Sequence, residues 1–308
     1  MEVYSLKNNK LNSIKNNPFK KEKEIQTLVE NHTELLFGVE FVTSEFVIGE
    51  FRIDTLCFDK LSNSFVIIEY KKGSSYSVID QGYSYLSKML NNKSDFILEY
   101  NEQKNNNIKR DEIDWSQSKI IFVSPSFNSY QKNSVNFKDI PFELWEIKRF
   151  NNDTIVLNKH QSKSSESIEK VVSKENSVIN KVSKEVKVYT EDYHKGKKKN
   201  TTDEVKELYD TLRDKILDLG EIEIRPRKEY VGFISKTNFV DVKIQTKNLW
   251  VWINLKSGEV DDPKQITRDV SEIGHYGNGD YDFKIYPEET DLDYVMFLIK
   301  QSFIKHQK

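Results

Sequence analysis

The stretch Phe51–Lys72 constrains the fold more than any other: FRIDTLCFD, a short polar break KLSNS, then FVIIEYKKG. The first run alternates and is rich in β-formers, and the second is almost wholly apolar until Glu69, so both read as strands of a buried sheet. The break is short enough for a hairpin. A turn centred on Leu61–Ser62 places Asp54 opposite Glu69 on one face of the pair. A strand repeats every two residues, so Lys71 shares the face of Glu69. Two carboxylates and one ammonium therefore converge at the end of a hydrophobic hairpin.

Facing carboxylates repel, and a divalent cation removes that repulsion. Mg²⁺ takes oxygen ligands, keeps several waters and is held by one or two carboxylates. A lysine beside a metal-bound water can orient it or stabilise charge on a phosphate. The alternative is a structural one, an interstrand ion pair of Lys71 with Asp54 or Glu69.

Asp54 followed by Glu69-Tyr70-Lys71 after a hydrophobic strand resembles the D…(D/E)-x-K motif of the PD-(D/E)xK nuclease superfamily. The following DQGYSYLSKML, residues 80–90, is similar to the glutamine–tyrosine helix of several of its branches. Ile53 stands where that superfamily has a variable proline. The resemblance runs over roughly residues 18–160. It implies a restriction-endonuclease-like mixed sheet flanked by helices, with Asp54, Glu69 and the Tyr70 carbonyl as ligands of Mg²⁺, or of Mn²⁺ in its place. Lys71 would position the attacking water, and Gln81 and Tyr85 would tune Lys71 or contact the nucleic-acid backbone. In that superfamily the first helix often adds an acidic ligand. The pattern E-x-x-I-Q beginning at Glu22 favours Glu22 over Glu24, against the plain reading of both as first-turn helix carboxylates.

Before the hairpin, residues 1–18 suggest a short strand plus loop. FKKEKEIQTLVENHTELLFG then predicts one helix, with Ile25, Leu28, Val29, His32, Leu35 and Leu36 on one face and Gly38 at its end. After the hairpin, Gln81, Tyr85 and Lys88 form a polar stripe bordering the apolar face of Val78, Leu86 and Met89. DFILEY reads as a strand, residues 101–118 as a long polar loop, and KIIFVSPSF, PFELWEIKRF and DTIVLNKH as further strands.

Residues 161–200 change character, with Ser, Lys, Glu and Asn dominating, and predict a basic polar linker. A second unit follows over 201–308. Thr201-Thr202-Asp203-Glu204 reads as a capping box that opens a helix through Val205, Leu208, Leu212 and Ile216 to Gly220. Four strand-like runs, a Gly-rich loop, a strand and a C-terminal helix complete it. The fold class expected is thus α/β in the α+β sense: a nuclease-like domain over 1–160, the linker, and a smaller α+β domain. The stretch DDPKQITRDVSEIGHYGNGDYDFKI resembles a small uncharacterised domain fused to modification-dependent restriction enzymes and to proteins loosely described as transport proteins. His275, Tyr276 and Asp280 lie among three glycines there, without a phosphate-loop lysine, which favours a structural turn. Trp250 and Trp252 share one strand face, as core or as a base-stacking platform, with core preferred.

Composition narrows the classes. Aromatic content of 12% supports real cores although 31% of residues are charged, and a net charge of −2 gives no global basic footprint, so any DNA surface is local. The lone Cys57 fits a reducing cytoplasm. No apolar run approaches a membrane span, and MEVYSLKNNK lacks a signal-peptide core. Two functions follow: a Mg²⁺-dependent DNA endonuclease, in restriction or anti-phage defence by the resemblance, or a catalytically inactive nuclease-fold scaffold that binds DNA or protein. Partners implied are DNA and, in a homodimer, a second copy. A partner protein or modified DNA is the expectation for the C-terminal domain.

Overall fold

The computed structural model describes residues 2–73, 77–160, 164, 166–168, 177–274 and 277–307, and the chain divides into two compact units, 1–188 and 189–308. In the first, a hairpin of β1 (Val3–Lys7) and β2 (Lys10–Ile14) precedes α1 (Glu22–Glu30) and α2 (Thr33–Phe37). Then come β3 (Glu40–Ile48), β4 (Phe51–Asp59), β5 (Ser64–Tyr70), α3 (Val78–Asn91), α4 (Lys93–Lys104), β6 (Lys119–Ser124), α5 (Ser129–Ser134), β7 (Phe142–Arg149), β8 (Ile155–Lys159) and α6 (Ser177–Glu185). The six strands β3 to β8 form one sheet in sequence order. It is mixed: β3, β4 and β5 are antiparallel, β5, β6 and β7 parallel, and β8 antiparallel to β7.

Every residue of β5 is buried, because helices cover both faces of the sheet. Phe65 and Ile67 pack with Leu86, Met89 and Phe96 on the α3–α4 side. Val66, Ile68 and Tyr70 pack with Ile25 and Val29 on the α1 side. The strand alternation thus assigns Glu69 to the α3 side and Tyr70 to the α1 side.

Four expectations are corrected. The helix expected over 19–38 is two helices, broken at Asn31–His32, and Leu35 is 77% exposed instead of lying on the apolar face. DFILEY is helical within α4, where Phe96 and Tyr100, four apart, are both buried. The long loop expected from residue 101 begins only after Lys104, and short 3₁₀ turns at Arg110–Glu112 and Trp115–Gln117 interrupt it. The linker expected over 161–200 is not a free tether in its described part. Ile179, Val182 and Val186 recur at helical spacing, and with Ile168 they are buried in the core of the first unit, α6 packing on α3.

The second unit holds α7 (Glu191–Gly196), α8 (Asp203–Leu217), β9 (Glu223–Pro226), β10 (Val231–Ile234), β11 (Asn238–Ile244), β12 (Leu249–Ile253), β13 (Arg268–Asp269), β14 (Tyr281–Ile285) and α9 (Leu292–Lys305). Its sheet runs β13-β14-β12-β11-β10-β9, all antiparallel. Thr202 caps α8 by accepting from Val205 N–H. Val240, Val242, Val251, Ile253 and Phe283 share a core with Leu208, Leu212, Leu298 and Ile299 of α8 and α9. His275 and Tyr276 lie outside the described residues.

One glycine sets how closely α3 approaches the first sheet. A Cβ at Gly82 would stand 2.5 Å from the Phe142 ring. That ring is wedged edge-on against Tyr83 and Phe122 and cannot swing away. Gly82→Ala is therefore expected to destabilise the N-terminal unit by about 1–3 kcal/mol, the usual cost of overpacking, despite alanine's better helix propensity. Denaturant unfolding followed at the aromatic residues checks this, and an unchanged or raised midpoint would contradict the close packing of α3.

Candidate active site

The β4–β5 ladder is regular from Asp59↔Ser64 to Thr55↔Ile68. The next pair is Asp54 and Glu69, and there side chains take over from the backbone. Asp54 N–H donates to Glu69 Oε1 at 3.2 Å, and Tyr70 N–H donates to Asp54 Oδ2 at 3.0 Å. Each carboxylate caps an amide of the opposite strand. The backbone carbonyl of Asp54 accepts from Gln26 Nε2 of α1 at 3.0 Å.

Other groups gather on the same end of the sheet. Lys71 Nζ lies 3.5 Å from Glu69 Oε2, and the Lys71 amide donates to the Val123 carbonyl at 3.0 Å, extending the parallel pairing one residue past β5. Gln81 Nε2 of α3 reaches Glu69 Oε2 at 3.3 Å and Tyr85 Oη at 3.4 Å, and Tyr85 Oη donates to the Arg52 carbonyl at 3.2 Å. Gln81 and Tyr85 are four apart, one helical turn, so one face of α3 delivers both. Lys88, the third residue of that stripe, stands 5.0 Å over the Phe51 ring.

Glu22 approaches from α1. Its Oε1 accepts from the Lys72 amide at 2.7 Å, just beyond Lys71. Glu24 is occupied elsewhere, pairing with Arg149 at 3.1 Å and accepting from the Lys20 and Lys21 amides. Of the two α1 carboxylates weighed from the sequence, Glu22 is the one beside the cluster.

Behind the cluster, on the α1 side, lies a second polar network that the sequence reading missed. Glu30 Oε1 accepts from Gln26 Nε2 at 2.9 Å, Ser44 Oγ at 2.7 Å and Thr55 Oγ1 at 2.6 Å, and Thr55 Oγ1 is 3.1 Å from Tyr70 Oη. Gln26 has two amide hydrogens and four acceptors in range, namely Glu30, Ser44, Glu45 and the Asp54 carbonyl. The signal available was Gln26 itself, a buried polar residue between Ile25 and Val29.

Burial drives the electrostatics. Glu69 is 1% exposed, and desolvation with the Asp54 charge pushes its carboxyl up to about 8, against the pull of Lys71. Asp54 is raised too, by desolvation first, while the Tyr70 amide and Lys71 hold it down. Burial and the Glu69 charge push the Tyr85 phenol up to about 12. An uncompensated second negative charge is costly here, so the pair suits an added cation.

The residues fit one hard divalent ion better than a multi-ligand protein cage. Among the described residues no group of three or more His, Cys, Asp or Glu side chains could hold a metal ion. Two carboxylates, with water making up the rest, could hold a Mg²⁺-type ion.

Fold and cluster together define an α+β chain whose N-terminal mixed sheet ends in a buried Glu69, a half-buried Asp54 and a lysine. The chain belongs to the family of an uncharacterized protein of Haemophilus influenzae (strain ATCC 51907 / DSM 11121 / KW20 / Rd), 50% identical over 305 residues that cover 98% of this chain and 99% of the relative. A domain family of unknown function, DUF5655, matches residues 190–305, close to the second unit. Solved structures similar to part of the chain include a repair endonuclease from Pyrococcus abyssi (18% identity, TM-score 0.22, 39% of this chain and 44% of that one). EndoMS in its apo form is another (20%, TM-score 0.26, 39% and 43%). A third is an EndoMS–double-stranded DNA complex (15%, TM-score 0.23, 44% and 50%). The chain thus spans half or less of the length of these structures. Among the described residues no helix is long and apolar enough to cross a membrane.

The raised Glu69 carboxyl makes a pH prediction for the metal-free protein. Its folded pKa of about 8 lies above its ordinary 4.5. Between those values the folded state binds more protons than the unfolded state, so stability falls as pH rises through that window. Thermal melts in EDTA are expected to show a midpoint declining from pH 5 towards pH 8, and Glu69→Gln is expected to flatten the decline and melt higher at pH 8. A wild-type slope unaltered by Glu69→Gln would contradict the assignment.

Proposed function

We propose that the N-terminal unit hydrolyses phosphodiester bonds in DNA with Mg²⁺, or Mn²⁺ in its place, at the Asp54–Glu69 pair. The observation that carries the reading is the reciprocal capping of Asp54 and Glu69, which brings two desolvated carboxylates together at a strand end with Lys71 beside them. Asp54, Glu69 and the Tyr70 carbonyl would hold the ion, with Glu22 completing the set. Once bound, Mg²⁺ supplies charge relief on the scissile phosphate and a more acidic water.

The chain's own residues do the rest. Lys71 orients the attacking water and offsets negative charge that develops on the phosphate. Gln81 donates to Glu69 and to Tyr85, fixing the carboxylate's rotamer. Tyr85 keeps its proton through the physiological range, given its raised phenol, and would turn that one O–H from the Arg52 carbonyl towards the sugar-phosphate backbone. The resemblance to D…(D/E)-x-K nucleases points to restriction or anti-phage defence, with phage or modified DNA as substrate, and the lone Cys57 points to the cytoplasm.

A second reading has its own observation. One oxygen of each carboxylate already caps a backbone amide, which a scaffold that only binds DNA or protein would also need. Single-turnover cleavage of duplex DNA separates the two. Glu69→Ala is expected to abolish cleavage. Lys71→Ala is expected to slow it about 10²-fold or more, the scale of losing one preorganised charge donor, while DNA affinity falls only modestly. Wild-type rates in Lys71→Ala would remove the role given to Lys71. A wild type inactive with Mg²⁺ and Mn²⁺, on plain and modified phage DNA alike, would favour the scaffold.

A further inference from the structure

The sheet of the C-terminal unit buries one face against α8 and α9. Its other face carries a row set by strand register: Lys243 opposite Trp250, and Trp250 opposite Lys284. Neighbours in register at this spacing lie side by side on one face. A cavity of about 460 Å³ opens there, lined by Gln245, Thr246, Lys247, Asn248, Trp250 and Lys284. Trp252 is fully buried, and its ring supports that of Trp250 at 4.5 Å with a 30° tilt. Trp250 itself is only half-buried.

The charge around this indole is one-sided. Lys284 Nζ sits 5.2 Å above the Trp250 ring. Lys284 and Lys247 are exposed, and neither has an ion pair among the described residues. Lys243 and Lys197 share the single carboxylate of Glu229, at 2.8 and 3.3 Å. Lys198 donates to the Gln245 side chain. The excess is local and cationic in a chain whose net charge is −2.

A rigid, half-open indole with the exposed Lys247 and Lys284 at the same cavity matches a ligand with a flat π-face and neighbouring anionic groups. The amides of Gln245 and Asn248 add donors and acceptors at the cavity wall. A nucleic-acid strand has this pattern, and bases stacked inside a duplex do not present a free face to an indole. We propose that this cavity binds single-stranded nucleic acid, one unstacked base lying on Trp250 and its neighbouring phosphates on Lys247 and Lys284. The flexible Lys284 leaves the ring for a phosphate as the base takes its place. The proposal does not rest on the chemistry of the N-terminal unit.

The test is fluorescence anisotropy with the full-length protein in EDTA, so that no hydrolysis intervenes. The probe is a labelled oligothymidine of about ten nucleotides, within the usual site size. Trp250→Ala is expected to weaken binding about tenfold or more, the loss typical of one stacked base, while Trp250→Phe retains most of it. Lys284→Gln, an exposed change that leaves the fold intact, is expected to weaken binding and lower the salt slope by about 0.7, one phosphate contact's share. An abasic oligomer of the same length should bind as weakly to wild type as oligothymidine does to Trp250→Ala. Equal affinity for the abasic and thymidine oligomers would overturn the stacking site. So would affinities unmoved by both Trp250→Ala and Lys284→Gln, or a duplex of equal length binding more tightly with the same dependence on Trp250.

Discussion

The N-terminal site depends on one exchange of hydrogen bonds: Asp54 caps the Tyr70 amide, and Glu69 caps the Asp54 amide. A regular ladder would pair these backbones directly and send both carboxylates outward. Here the strands give up backbone pairing beyond Thr55↔Ile68, and the side chains satisfy the amides instead. Buried amides need partners, so the carboxylates are fixed by the same requirement that holds the sheet together. Site and fold share these bonds.

The surroundings hold that exchange in place from both faces. On one side Gln26 grips the Asp54 carbonyl, and Glu30, Thr55 and Tyr70 form a chain behind it. On the other, Gly82 lets α3 come close enough for Gln81 to reach Glu69. Hydrogen bonds in a low-dielectric setting hold these groups in place, whereas an ionised Glu69 beside Asp54 is costly. Under the proposed reading, a bound cation would relieve that cost.

The sequence exposed the parts of this that follow from strand periodicity. Alternation along FRIDTLCFD and FVIIEYKKG, with a tight turn between, is enough to bring Asp54, Glu69 and Lys71 to one end of one hairpin. Helical spacing then adds Gln81 and Tyr85. Periodicity does not disclose the reciprocal capping, because the strands must part at one pair for it to form. The Glu30–Thr55–Tyr70 network was hidden for a similar reason: its members are distant in sequence and meet only across the α1 face. The misread elements have local causes. DFILEY has a strand-like composition but packs through Phe96 and Tyr100, and the polar stretch after residue 161 concealed Ile179, Val182 and Val186 at helical spacing. In the second unit, strands and both long helices were legible, while the cationic surround of Trp250 required the register of three strands.

The central claim is that Asp54 and Glu69 form one cation site. Calorimetric titration of Mg²⁺ into the metal-free protein at pH 7, in two buffers of different ionisation heat, tests it directly. With the Glu69 carboxyl near 8, binding at a single site is expected to expel about one proton, since a ligating carboxylate must be deprotonated. Asp54→Ala is expected to abolish the binding heat. Heats of equal size in wild type and Asp54→Ala, or binding without proton release, would contradict the account.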